Sequence, residues 1–207
     1  MSIKKAYNSW SHSYDDGQNK TRDLEELVAK KLLKDSHYKN ILELGCGTGK
    51  NTRWLIEKCD SLIALDFSEE MMNKAKQKIT SNKVTFKQQD LTQEWNLVSK
   101  SFDLITCSLV LEHIKDLNSI FKKAAEVLKK DGQFYVCELH PFKQYSGSKA
   151  RFDDGNTTQE LKVYTHHITA YTDAAKKNGL RLMEIKETFD EDKLAEIPRL
   201  ITFLFQK

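Results

Sequence analysis

The sequence predicts an α/β protein built on a doubly wound, mostly parallel sheet. Three observations carry that expectation. Short apolar runs alternate with stretches of helical periodicity along most of the chain. The first such run, Ile41 to Leu44, stops in glycines at alternate positions, Gly45, Gly47 and Gly49, and a helical stretch follows. The length, 207 residues, suits one α/β domain that buries a substantial core, so a single domain over 1–207 is expected.

Residues 7–19 are aromatic and polar, with Tyr7, Trp10 and Tyr14 ahead of Asp15-Asp16-Gly17. Thr21 is placed to cap a helix over 22–34, in which Leu24, Leu27, Val28 and Leu32 recur at helical spacing. Together 1–37 form an N-terminal cap and helix. The first strand is expected at 40–44, and a helix follows the glycines over 50–59. The second strand covers 61–66. Ser68 caps the next helix, which carries Glu69 and Glu70 in its first turn and runs to Ile79. Val84 to Gln88 form the third strand and Phe102 to Cys107 the fourth. A helix over 117–128 is expected to end at Lys129-Lys130-Asp131-Gly132, a cationic turn followed by a glycine stop. The fifth strand is 133–138. Residues 140–163 interrupt the alternation as an insertion on the substrate side. A helix over 168–178 ends at Gly179. The last strands, 180–187 and 200–205, have no helical run between them and read as a terminal antiparallel pair.

Composition narrows the class. Charged residues make up 30% and apolar ones 39%, as in a soluble globular protein. The formal net charge of +3 demands neither nucleic acid nor a membrane as partner. Cys46, Cys59, Cys107 and Cys137 form no C-x-x-C and no zinc-like spacing with histidine, so no metal is expected. Reduced thiols and the lack of a long apolar run or a leader-like start point to the cytoplasm.

The glycine loop is where chemistry is legible. Bare backbone lets a ligand approach closely. Glu43, just ahead of the glycines, would repel a phosphate and hold a cation. Asp66 ends the second apolar run, 17 positions after Gly49, where a carboxylate can accept both hydroxyls of a ribose. A dinucleotide fingerprint would read G-x-G-x-x-G, whereas this loop reads G-x-G-x-G. Glu43, the loop and Asp66 together resemble the S-adenosylmethionine site of class I methyltransferases. Their first motif, an acid followed by three alternating glycines, is matched by Glu43 to Gly49. The resemblance runs from about Tyr38 to Gly132, more weakly beyond, and is similar to the ubiquinone/menaquinone-biosynthesis type.

The resemblance implies a Rossmann-like sheet of order 3-2-1-4-5-7-6 with strand 7 antiparallel, and a crevice at the carboxyl ends of the strands. It implies S-adenosylmethionine as cofactor and S-adenosylhomocysteine as product, held by Gly45, Cys46, Gly47 and Gly49. Asp90 matches the acid that accepts the adenine amino group, beside Leu91; a turn-capping Asp is the other reading. Phe67 and Met71 either pack on the adenosine or belong to the core. Ser108 is implied at the methionyl part through its backbone. Tyr14 resembles a covering aromatic, and Arg22 is a charge candidate for the cofactor carboxylate. His113 matches a histidine frequent there, which positions substrate, acts as a base or simply packs.

His140 follows the fifth strand directly, ahead of Pro141, and is expected to face the crevice as a substrate contact or base. Lys143, Tyr145, Lys149, Arg151 and Phe152 suit a lid for an anionic group, unless they form a solvated loop. His166 and His167 precede the next helix, and His167 is expected at the substrate. The function these features imply is methyl transfer to a small-molecule nucleophile. A non-catalytic cofactor-binding regulatory or scaffold protein and a nicotinamide-dependent oxidoreductase are the alternatives.

Overall fold

The computed structural model describes residues 3–34, 36–97, 101–149, 151–153, 158–190 and 197–207. Nine strands occur among them: β1 (Tyr38–Leu44), β2 (Cys59–Asp66), β3 (Val84–Gln88), β4 (Phe102–Ser108), β5 (Leu128–Leu139), β6 (Arg151–Asp153), β7 (Thr158–Glu160), β8 (Arg181–Thr188) and β9 (Leu200–Gln206). The helices are α1 (Ile3–Trp10), α2 (Lys20–Leu32), α3 (Thr52–Leu55), α4 (Glu69–Lys78), α5 (Leu117–Val127), α6 (Pro141–Tyr145) and α7 (Ile168–Lys177).

Seven strands form one sheet in the order β3-β2-β1-β4-β5-β9-β8. Pairings are parallel from β3 to β5, and β9 runs antiparallel to both β5 and β8. This is the order that the resemblance implied. Strand periodicity assigns each side chain to a face. Leu42 and Leu44 of β1 pack with Ile105, Phe121, Phe134 and Phe203 in one layer, whereas Ile41 packs with Val28, Leu62, Met72 and Leu104 in the other. Phe121, Phe134 and Phe205 meet edge to face at 5.2 and 5.4 Å between centroids, and each ring is fully buried. Burying one such side chain stabilises the fold by about 1.5–3 kcal/mol.

The structure departs from the sequence expectations at element ends. Asn19, not Thr21, caps α2: its Oδ1 accepts the amides of Thr21 and Arg22 at 3.1 Å. The buried face of α2 is also turned from the expected one. It carries Glu25, Val28 and Ala29, whereas Leu27 is 66% exposed. The helix after the glycines is one short turn, α3, extended by a 3-10 turn over Ile56–Lys58. Ser68 caps α4 as expected, accepting the amide of Met71 at 3.2 Å. Helix α5 ends at Val127, and β5 takes over at once. Asp131, not Gly132, is left-handed there. Gly132 is needed for space: a Cβ would lie 2.9 Å from the Lys129 carbonyl and 3.0 Å from that of Phe102. The insertion holds α6 and a small β6–β7 hairpin.

Asn19→Ala should lower stability by about 1 kcal/mol, the usual cost of losing such a cap. Urea denaturation with an unchanged midpoint would show that the cap contributes nothing.

Candidate functional site

A cavity of about 280 Å³ opens at the carboxyl ends of β1 to β4. Its floor is the glycine loop. The amides of Gly45 and Cys46 both donate to the Leu65 carbonyl, at 2.8 and 2.9 Å, and so continue the β1–β2 ladder. The loop then turns through Gly47 (φ 52°), which lines the cavity and where an added Cβ meets nothing within 4 Å. At Gly45 a Cβ would lie 2.2 Å from Val110 Cγ2, so the loop after β4 can approach only a glycine. Gly49 does not line the cavity; it packs on Ala75 and Ile79 at the end of α4.

Four acidic residues line the cavity, Glu25, Glu43, Asp66 and Asp90, the first three of them buried. Glu43 shares a face of β1 with Ile41, beneath α2 and α3, and Thr52 donates to its Oε2 at 2.5 Å. Burial pushes its pKa up to about 8. Asp66 accepts the Gly47 amide on Oδ2 and the Ser68 amide on Oδ1, each at 2.8 Å; burial raises its pKa to about 6. Glu25, which the sequence reading missed, reaches in from α2 and accepts from Ser108 Oγ at 2.6 Å and from Asn51 Nδ2 at 2.8 Å. Burial raises its pKa as well. Its signal lay in the sequence: 25, 28, 29 and 32 keep helical spacing with a Glu in the first place.

Further along, Phe67, Met71, Asp90 and Leu91 line the cavity beside Asp66. Asp90 Oδ1 accepts from the amide and hydroxyl of Thr92, at 2.9 and 2.7 Å, so it caps its turn as well as lining the cavity. The N-terminal segment closes the mouth. Tyr7 packs against Phe67 at 5.8 Å, Ser68 Oγ donates to Asn8 at 2.7 Å, and Asp15 accepts from Thr48 and Lys78. Tyr14 lines the cavity under the Arg22 guanidinium, which stands 4.0 Å from its ring centroid.

His113 is the histidine that the cavity holds. Its Nδ1 lies 3.3 Å from the Lys162 carbonyl, which can only accept, so Nδ1 carries the proton. The Tyr7 hydroxyl, 2.8 Å from Nε2, therefore donates to it. Burial lowers the His113 pKa and keeps the ring neutral at pH 7.

The expected substrate residues lie elsewhere. His140 is fully buried outside the cavity as the cap of α6. Its Nδ1 accepts the Phe142 amide at 3.2 Å, which leaves Nε2–H to donate to Glu187 at 3.0 Å. Both nitrogens are engaged, so the crevice-facing role is corrected to a structural one. Tyr145 and His167 bond to each other at 3.0 Å away from the cavity. Arg151 and Lys149 both pair with Glu160 at 3.1 Å. Lys149 and Arg151 line a separate shallow hollow, with Arg199, Thr21 and Ser146 to Ser148. The side chain of Phe152 lies outside the described residues.

The arrangement suits a ligand with a cationic part and a ribose. The donor set is acidic, the loop at Gly47 leaves room for close approach, and aromatic rings cover the mouth. Comparison with known proteins gives the same reading. A family profile described as "Methyltransferase domain" matches residues 42–136. The matched stretch, a little under half of the chain, covers β1 to β5 with the glycine loop, and the chain is similar to methyltransferases there. It is 27% identical over 110 residues to an uncharacterized methyltransferase of Schizosaccharomyces pombe, covering 48% of this chain and 38% of that protein. It is 27% identical over 161 residues to a ubiquinone biosynthesis O-methyltransferase of Coxiella burnetii, covering 71% and 65%. The aligned part thus spans less than two thirds of either relative. An S-adenosylmethionine-dependent methyltransferase structure from Clostridium acetobutylicum superposes with a TM-score of 0.73 at 23% identity, covering 97% of this chain and 98% of that one. Among the described residues, no cluster of His, Cys, Asp or Glu is placed to hold a metal ion, and no helix is long and apolar enough to cross a membrane.

Two outcomes follow. Gly47→Ala should cost about 1–2 kcal/mol through its left-handed φ, keep its circular dichroism, and lose cofactor binding in calorimetry. Retained binding would show that the loop does not meet the ligand. The second concerns pH. Folding raises the pKa of Asp66 to about 6 and of Glu43 to about 8, so between pH 5 and 8 the unfolded chain binds fewer protons than the folded one. Cofactor-free stability should therefore fall as pH rises through that window. Glu43→Gln should flatten the upper part of the decline; an identical melting profile would show that Glu43 does not titrate there.

Proposed function

We propose that this protein transfers the methyl group of S-adenosylmethionine to a small-molecule nucleophile. The observation that carries the reading is the placement of acids along the strand ends. Glu43 stands on β1 before the glycine loop, Asp66 ends β2, and Asp90 follows β3, all on one cavity. When bound, the cofactor supplies a methyl group on an electrophilic sulfonium.

The chain's own residues divide the work. Asp66 takes the ribose hydroxyls, Asp90 the adenine amino group, and Phe67, Met71 and Leu91 cover the ring. Tyr14, Cys46 and the loop amides around Gly45 and Gly47 line the path to the methionyl part. The N-terminal segment, with Tyr7 at its centre, excludes water. His113 orients the acceptor and takes its proton on Nε2, the Tyr7 hydroxyl turning aside. A neutral imidazole is the form that this needs, and burial favours it. Lys149 and Arg151 are engaged with Glu160, so the reading assigns them no anionic substrate. With a net charge of only +3, the reading takes the acceptor to be a small molecule and not a nucleic acid.

Calorimetry should detect S-adenosylmethionine or S-adenosylhomocysteine and no NAD; binding of NAD alone would overturn the reading. Asp66→Asn should weaken S-adenosylhomocysteine by about 1.5–3 kcal/mol, the scale of a hydrogen bond to a charged group. Release of S-adenosylhomocysteine in the presence of metabolite pools separates turnover from binding without catalysis.

A further inference from the structure

The insertion after β5 ends in a segment without helix or strand, Leu161 to His166, that runs along the turn carrying His113. That turn follows β4 as a 3-10 turn over Leu111–His113 and brings His113 and Ile114 to the cavity. Leu161 packs with Ala6 of α1, against Tyr7 and Trp10. The amide of Tyr164 donates to the Glu112 carbonyl at 2.7 Å. His166 Nε2 stands 3.2 Å from the Leu111 carbonyl and 2.8 Å from that of Ile114. Carbonyls only accept, so this nitrogen carries its proton and shares it between the two. The Leu111 carbonyl also accepts the Ile114 amide at 3.0 Å, which closes the turn. The His166 ring therefore ties both ends of the turn to the segment. Tyr171 of α7 meets that ring edge-on at 5.9 Å and itself stacks on Phe203 at 4.9 Å, so the tie is anchored to the core.

The tie bears on the lone pair of His113. A neutral imidazole has one bare nitrogen, and it accepts a proton only there. In water the neutral ring keeps its proton mainly on Nε2, which leaves Nδ1 bare. Here Nδ1 faces the Lys162 carbonyl at 3.3 Å, so the bare nitrogen is Nε2, the one that meets the Tyr7 hydroxyl beside the cavity. The Lys162 side chain is exposed, so the backbone on either side places its carbonyl: Leu161 on α1, and Tyr164 and His166 on the turn. Glu112, next to the same ring, has Oε1 3.8 Å from Nε2, outside hydrogen-bond reach, and its Oε2 accepts from Gln144 at 3.0 Å.

We propose that His166 is a positioning residue for His113: by tying the 161–166 segment to the turn, it keeps the Lys162 carbonyl on Nδ1 and directs the lone pair of Nε2 into the cavity. The inference rests on the base role given to His113 above and deepens it. It gives the end of the insertion a task in the reaction that needs no anionic ligand. His166 touches neither cofactor nor acceptor; it acts through the backbone that selects the tautomer.

The test is nitrogen-15 NMR of the full chain labelled at its histidine rings, at a pH where the rings are neutral. In the wild type, His113 should carry its proton on Nδ1 and His166 on Nε2. His166→Ala should move the His113 proton mostly to Nε2, while calorimetry with S-adenosylhomocysteine changes by no more than about twofold. His166→Gln, whose amide nitrogen can donate as Nε2 does, should restore the Nδ1–H form of His113. An unchanged His113 tautomer in His166→Ala would overturn the inference. The same shift in His166→Gln as in His166→Ala would overturn it too, because the ring would then act only by filling space. A wild type with either ring in the opposite form overturns it even if His166→Ala fails to fold. Loss of S-adenosylhomocysteine binding in the wild type would bring down the cofactor reading instead, and the tautomers would still decide the role of His166.

Discussion

The Asp66 carboxylate accepts the Gly47 amide on one oxygen and the Ser68 amide on the other, and both loops beside the cavity take their course from it. The first bond bends the chain leaving β1 over the end of β2. The second starts α4, whose cap is Ser68 itself. Moving this side chain by one position along β2 would turn it to the opposite face of the sheet, and neither amide would have an acceptor. The length of β2 is therefore as much a part of the site as the glycines.

Around that bond the cavity gathers acids that no cation of the described residues neutralises, and burial holds back part of their charge, raising the pKa of Glu43 to about 8. Glu25, Glu43 and Asp66 are each satisfied by neutral donors: hydroxyls, an amide side chain and backbone N–H groups. Such bonds meet the geometric needs of a carboxylate without meeting its charge. Glu138 is a fourth buried acid, under the loop after β4. Its Oε1 accepts the amides of Val110 and Leu111, and burial pushes its pKa to about 8. It sits on the Phe134 face of the sheet, away from the cavity, and shapes the loop that passes over Gly45. Crowding and burial favour the protonated forms of these acids in the free protein, and a ligand that brings a cation to the cavity favours the charged forms there.

Legibility in the sequence followed the range of the interactions. The Ser68 cap and the cavity's glycine loop rest on local pattern and were readable, whereas the strand order came from the family resemblance and not from any local pattern. Asn19 and Thr21 are both good caps, and the choice between them is tertiary: Thr21 Oγ1 accepts from Arg199. The buried face of α2 was misread because Leu27 looked like core and Glu25 did not; the burial of Glu25 depends on Ser108 and Asn51, which are remote in sequence. His140 was placed correctly at a strand end, but Pro141 there starts a helix, and a residue before a helix turns its side chain onto the backbone. The cations at 149 and 151 met Glu160 through a hairpin that no sequence pattern announced.

The position of β9 has a bearing on how the chain is made. This strand lies between β5 and β8, although it is the later of the pair to leave the ribosome. Until residues 200–206 are out, β8 has no neighbour to hydrogen-bond with, and β5 presents an open apolar edge. The cavity half of the sheet, β1 to β4, is complete long before that, and can form while the rest is still being synthesised. The nascent chain thus spends part of its synthesis as a half-built sheet with one uncovered border. A slow stretch of translation before residue 200 would lengthen the exposure of that border to chaperones or to other nascent chains.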